Sequence, residues 1–233
     1  MNIKFYLLSL LFRGALLATL PVSETFIHRS AYSLSYDGQH RQARWVYEYL
    51  TEEKIQGEVK RAGMLFKEDP AVPVLFRVAD KDYAGSGYDR GHLCPAADTA
   101  KNEDAMRETF YFSNVSPKVP QFNRGYWLKL ERHVRDLTKE YKALRVYTGP
   151  LFLPQQGADG KRYVKYQVIG ENDVAVPTHF FKLIIAEKKE GGLEQMAYIL
   201  PNALIDKNIP LEQFKVSLEK LEKASGIVFF PSP

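Results

Sequence analysis

Within eight residues, Gly85-Ser86-Gly87-Tyr88-Asp89-Arg90-Gly91-His92, the chain places three glycines, a carboxylate, a guanidinium and an imidazole. Glycines allow a strained turn and a close backbone approach to a ligand. An imidazole with an ordinary pKa near 6.5 takes a proton from water around neutral pH. A guanidinium suits the charge and geometry of a phosphate. His92 and Arg90 are therefore candidates for a general base and a phosphate contact. The competing reading is a loop with a structural Asp-Arg pair and an incidental histidine.

A second group follows in the order Asn114, Asn123, Glu131, spaced nine and eight residues apart. These side chains offer hard oxygen ligands, which suit Mg²⁺ better than zinc. Asn123 and Glu131 fall at or within the strongest helical pattern in the chain. Eight helical residues rise about 12 Å, so two fully helical side chains at this spacing do not both touch one ion. One solution places Asn123 at the helix start as the inner ligand, with Glu131 acting through a bound water. Taken singly, Asn123 also reads as a helix N-cap and Glu131 as a solvated charge. Between Lys118 and Arg145 there are eight basic and three acidic residues, a local +5 against +4 for the whole 233-residue chain. That excess fits a polyanionic substrate, or else a solvated helix face with acid–base pairs one turn apart.

The elements that must position these groups read as a single domain over residues 29–233, with no repeat or long linker dividing it. Tyr32–Asp37 and Ala43–Thr51 read as strands joined through Asp37-Gly38, and Val72–Ala79 as another. Thr99–Phe110 reads as a helix, and Phe110–Val115 as a strand. Trp127, Leu130, Val134, Leu137 and Tyr141 form one helical stripe. Val146–Leu153, Tyr163–Ile169, Thr178–Ala186 and Gln195–Leu200 are strand-like. A last helix is expected from Pro210 to Gly226. Strands outnumber helices without regular alternation, which predicts an α+β fold: a mixed, mainly antiparallel central sheet flanked by helices.

Composition narrows the classes. A content of 45% hydrophobic and 26% charged residues excludes bulk disorder. One cysteine, Cys94, excludes a disulfide framework and a Cys-rich zinc site. Cys94 lies two residues past His92, which leaves a cysteine hydrolase as an alternative. Its nearness to His92 also leads to the expectation that oxidation or alkylation of Cys94 blocks the site without the thiol being catalytic. Residues 1–28 read as a targeting segment or anchor. Residues 1–23 hold Lys4, Arg13, seven leucines and no acid. A mitochondrial presequence, a secretory signal and a membrane anchor through residues 5–22 all remain open, beside a cytosolic chain with a greasy tail. Arg13 counts against the anchor, costing about 2.5–3.5 kcal/mol at mid-bilayer.

Asp89-Arg90-Gly91-His92 resembles the signature of the DNA/RNA non-specific endonucleases of the ββα-metal class. Ser113-Asn114-Val115-Ser116-Pro117, Gln121-Phe122-Asn123, Trp127 and Glu131 resemble that family's metal-and-helix segment in order and spacing. Thr148-Gly149-Pro150-Leu151-Phe152, Tyr163 to Gly170 and Val176 to Lys182 are similar to its endonuclease G branch. The resemblance covers roughly residues 30–230 and implies a ββα-metal motif and largely sequence-nonspecific cleavage of DNA and RNA. It implies His92 as general base, Asn123 as the direct Mg²⁺ ligand (Mn²⁺ substituting) and Glu131 on a metal-bound water. Arg90 and Asn114 are implied to place phosphate or stabilise its developing charge, and Arg61 to contact phosphate. A homodimer, a mitochondrial location and DNA degradation during cell death are implied as well. Arg124, Cys94 and Asp98 stand where the family usually carries glutamine, alanine and asparagine. A non-catalytic nucleic-acid-binding relative is the other alternative.

Overall fold

The computed structural model describes residues 24–230. Its frame is a seven-stranded sheet in the order β1-β2-β3-β6-β11-β12-β13, antiparallel throughout. The strands are β1 (Glu24–His28), β2 (Tyr32–Asp37), β3 (Gln42–Leu50), β6 (Ala143–Leu151), β11 (His179–Glu187), β12 (Leu193–Pro201) and β13 (Lys215–Val216). β1 pairs with β2 over its full length, so residues 24–28 belong to the sheet. Residues 1–23, which carry most of the expected targeting segment, lie outside the described residues. No helix among the described residues is long and apolar enough to cross a membrane.

Side chains alternate across a strand, and both faces of this sheet are covered. On one face Val46, Leu144, Val146, Phe180, Ile184, Met196, Tyr198 and Leu200 join the largest core cluster. On the other, Phe181, Leu183, Ile185 and Ala197 pack with Leu221. The first face receives α4 (Leu128–Glu140), whose Leu130, Val134 and Leu137 are buried, as is Trp127 just before it, as the stripe requires. Full burial of such a side chain contributes roughly 2 kcal/mol. The second face receives α5 (Leu218–Ser225), capped by Ser217 and ended by Gly226 at φ +66°. The preceding short helices are α1 (Glu52–Ile55), α2 (Asp80–Tyr83) and α3 (Glu103–Glu108).

Outside the sheet, β4 (Asp89–His92) pairs antiparallel with β5 (Val115–Lys118), aligning Asp89 with Lys118 and His92 with Val115. The chain then passes through a π-helical turn, Phe122–Trp127, into α4. This is the expected ββα motif. Two short pairs complete the strands, β7 (Gln155–Gln156) with β8 (Arg162–Tyr163) and β9 (Val168–Ile169) with β10 (Val174–Ala175).

Several expected elements differ. Val72–Ala79 forms a 3-10 turn at Val74–Phe76, because Arg77 folds back to donate to the carbonyls of Val72 and Pro70. Thr99–Phe110 is divided between a 3-10 turn at Ala96–Thr99 and α3, which Asn102 caps. Phe110–Val115 contains a 3-10 turn at Phe112–Asn114, with β5 following it. Tyr163–Ile169 holds only the last residue of β8 and the dipeptide strand β9. The last helical pattern is interrupted at Lys215–Val216, which pairs with β12.

Candidate active site

His92 ends β4 at a point held by Asn114 and Lys118. Asn114 Oδ1 accepts from the Cys94 amide at 2.9 Å, and its Nδ2 donates to the Cys94 and Thr109 carbonyls, each at 2.9 Å. Lys118 runs beneath the strand, and its Nζ donates to the His92 carbonyl at 2.5 Å. A Cβ on Gly91 would stand 2.4 Å from Lys118 Cδ. That lysine is fully buried with Nζ 4.3 Å from the Trp127 ring centre and has no room to yield, so residue 91 must be glycine. The close approach expected of this glycine is therefore made to a lysine of the fold. Gly85 and Gly87 supply the turn, at φ +70° and +82°.

The His92 ring lies against Phe66 and Phe110, with centroids 5.2 and 4.9 Å away. Burial, reinforced by Arg61 and Lys118, pushes the imidazole down to about 3. The ring is therefore neutral at pH 7, and its buried Nε2 has no protein partner. It borders a cavity of about 600 Å³ whose other polar side chains are Lys60, Arg61, Asn123, Arg124, Glu131 and Arg135. Ala96, Ala97, Met106 and Leu128 supply apolar wall.

The π-helical turn presents Asn123. Such one-turn widenings of a helix are frequent at functional sites. Asn123 Nδ2 donates to Asp89 Oδ2 at 2.9 Å, which leaves Oδ1 as the atom for a cation. The N-cap reading of Asn123 does not apply, since the turn begins after Gln121. Asp89 also takes Arg124 Nε and Nη2 at 2.8 and 2.5 Å. Against the cost of its burial, hydrogen bonds from Arg124 and Asn123 hold the Asp89 carboxyl below the usual carboxylate range.

Glu131, two turns further on, is half-buried, and no hydrogen bond or ion pair reaches it within the described residues. Burial pushes its carboxyl up, opposed by Lys118 and Lys182. Beneath it, the sheet's inner face carries a buried polar row. Lys182 Nζ donates to Thr148 Oγ1 at 2.6 Å. Glu48, with neither oxygen partnered, is pushed up to about 8 by burial and by Asp98. Asn123 Oδ1 and the unpaired Glu131 carboxylate are hard donors too few to enclose a cation, and no cluster of three or more His, Cys, Asp or Glu side chains forms among the described residues. This set fits a cation that keeps most of its water, as Mg²⁺ does, and does not fit a closed zinc site.

Two expected site residues are placed elsewhere. Arg90 turns onto Asp80, with Nε to Oδ1 at 2.7 Å, and is not part of the cavity wall. Asn114 is fully buried and its amide is spent on backbone, so it positions the chain after His92. His92, Asn123, Glu131 and Arg61 do come together. Cys94 is buried away from the cavity, and burial with Glu48 and Asp98 pushes its thiol well above the ordinary range. This removes the geometry of a cysteine hydrolase and the access needed to block the site by alkylation. Arg135 was not singled out from the sequence, although its position four residues after Glu131 puts it on the same helix face. The basic excess of residues 118–145 does not form one patch. Lys142 and Arg145 pair with Glu187, Lys139 with Asp136, and Lys118 is internal.

Comparison with known proteins agrees with this geometry. The sequence model described as DNA/RNA non-specific endonuclease matches residues 17–233. Human mitochondrial endonuclease G is 50% identical over 213 residues, covering 91% of this chain and 72% of the relative. Nuclease C1 of Cunninghamella echinulata var. echinulata is 49% identical over 208 residues, covering 88% and 82%. A crystal structure of the EndoG/EndoGI complex, which concerns the inhibition of EndoG, superposes with a TM-score of 0.87. It is 43% identical, covering 90% of this chain and 87% of that one. With the family model spanning residues 17–233, half of the residues shared with a nuclease and the fold shared as well, the chain is a DNA/RNA nuclease and belongs to the DNA/RNA non-specific endonuclease family.

Proposed function

We propose that this nuclease hydrolyses phosphodiester bonds in the cavity bounded by His92, Asn123 and Glu131, with Mg²⁺ as cofactor and little regard for base sequence. The observation that carries the proposal is a neutral His92 bordering the same cavity as Asn123 and an unpaired Glu131. The His92 imidazole takes the proton from the attacking water. A neutral ring is required for this, and burial keeps it neutral across the physiological range. Asn123, steadied by Asp89, and Glu131, acting through water, would hold the ion, which when bound supplies charge stabilisation to the leaving oxygen. Arg61 and Arg135 offer donors to the phosphate oxygens. Contacts of this kind read backbone rather than bases, which supports DNA and RNA as substrates alike. Mn²⁺, with similar oxygen preference, is expected to substitute.

Lys118 and Asn114 have a supporting part, since both hold the strand end that carries His92. Mitochondrial location is part of the proposal, supported by the relatives' names and the acid-free segment 1–23. So are a homodimer and membrane association through residues 5–22. The decisive experiment is digestion of supercoiled plasmid and of RNA by the wild type beside His92→Ala, with Mg²⁺ and with chelator. Cleavage of both substrates by the wild type alone, stopped by chelation, is expected. A fully active His92→Ala overturns the assignment of the base. DNA binding without cleavage in either Mg²⁺ or Mn²⁺ would favour a non-catalytic relative.

A further inference from the structure

Two arginines border the cavity with a carboxylate behind each, and the two pairs are built differently. Arg124 gives Asp89 both Nε and Nη2, so the bidentate edge of its guanidinium is consumed. Its side chain is 74% exposed. Arg135 gives Asp98 only Nη1, at 2.7 Å. No other hydrogen bond from its guanidinium is formed among the described residues, so Nε and Nη2, the edge that matches two phosphate oxygens, stay uncommitted. The Asp98 side chain is 3% exposed and that of Arg135 20%, so the pair is shielded from the solvent that weakens surface ion pairs.

We propose that Asp98 is a positioning residue for substrate: through its ion pair with Arg135 Nη1 it holds that guanidinium at the cavity wall, one helical turn beyond Glu131, with Nε and Nη2 left to grip a phosphate. The proposal rests on reading the cavity as the phosphodiester site. Asp98 is well placed for this role. It sits in the 3-10 turn Ala96–Thr99, six residues after His92, and its amide donates to the Pro95 carbonyl at 3.0 Å. The stretch between is pinned at Cys94 by Asn114. The segment that places the base therefore also places the partner of Arg135. Burial pushes the Asp98 carboxyl up, opposed by Arg135 and Lys182, and the ion pair with Arg135 offsets the negative charge that Asp98 brings near the site. An unheld arginine would instead lose rotamer freedom each time it bound a phosphate.

The test compares wild type, Asp98→Ala, Asp98→Asn, Arg135→Gln and the Asp98→Ala/Arg135→Gln double variant. Binding of a fluorescent DNA duplex is titrated against salt in chelator, and cleavage kinetics are measured in Mg²⁺. Asp98→Ala should raise KM roughly tenfold, change kcat little, and reduce the salt slope of binding by about one, the signature of one lost phosphate contact. Arg135→Gln should match it, and the double variant should add nothing further. Asp98→Asn, which keeps an oxygen acceptor, should recover part of the loss. Wild-type KM and slope in Asp98→Ala, or tighter binding, would overturn the proposal. If Asp98→Ala does not fold, Asp98→Asn decides alone: a higher KM with a smaller slope supports the proposal, and unchanged values refute it. Because binding is read without metal or turnover, an inactive wild type with the expected slopes would refute the nuclease mechanism and leave the phosphate grip standing.

Discussion

Replacing His92 with Asn should change how stability depends on pH more than it changes stability at neutral pH. In the folded chain the imidazole titrates at about 3 because of burial, Arg61 and Lys118. In the unfolded chain it titrates near 6.5. The folded value is the lower one, so the unfolded chain binds more protons between the two. His92 therefore contributes stability that is complete above about pH 6.5 and is lost as pH falls toward 3. Two units below the unfolded value, at about pH 4.5, the loss amounts to about 3 kcal/mol, and it reaches about 5 kcal/mol once both states are protonated. Asn has no such proton. The assay is urea unfolding followed by fluorescence of Trp45 and Trp127, in chelator, at about pH 7.5 and pH 4.5. The wild type should lose about 3 kcal/mol more than His92→Asn across that interval. Parallel losses would show that the ring is not held neutral by burial, and would remove the physical basis for its role as a ready base.

The other substitutions separate roles that the motif alone runs together. Asn123→Ala should raise the Mg²⁺ concentration needed for half-maximal cleavage by about tenfold or more, and an unchanged metal requirement would exclude it as a ligand. Asn114→Ala should cost about 3 kcal/mol in thermal or urea unfolding, because three buried backbone groups lose their partner. A stable but inactive variant would instead restore a direct catalytic part. Arg61→Ala should weaken DNA binding several-fold and lower the salt slope by about one, while Arg90→Ala leaves that slope near wild type. Cys94→Ala should retain full kcat, and the native thiol should resist alkylation until the chain unfolds.

Much of the frame was legible. β2 and β3 follow from alternation closed by a turn, and α4 from an apolar stripe too regular to be anything else. The elements that differ from the local pattern share a physical cause. Val72–Ala79 and Tyr163–Ile169 are apolar or aromatic enough for strands, but a strand needs a partner at hydrogen-bonding distance, and no local pattern says whether one is there. At Val74 and Leu75 none is, and both side chains are left exposed. Lys215–Val216 shows the converse, with a helical stripe broken by pairing to a strand some eighteen residues earlier in the chain.

The site divides along the same line. His92, Asn123, Glu131 and Arg61 were marked by residue type, spacing and resemblance to a family, because a base, hard oxygen donors and a guanidinium are chemical requirements that local sequence can display. Arg90 and Asn114 carry equally suitable groups, yet one pairs with Asp80 and the other satisfies the backbone of Cys94 and Thr109. Arg135, at the cavity wall, meets Asp98, 37 residues earlier in the chain. What a side chain can do is written in its own atoms, and the sequence by itself determined that much here. Whether it does it depends on which partners are close enough to take its hydrogen bonds and which water is excluded. Those are distances between residues far apart in the chain, and only the tertiary structure decided them.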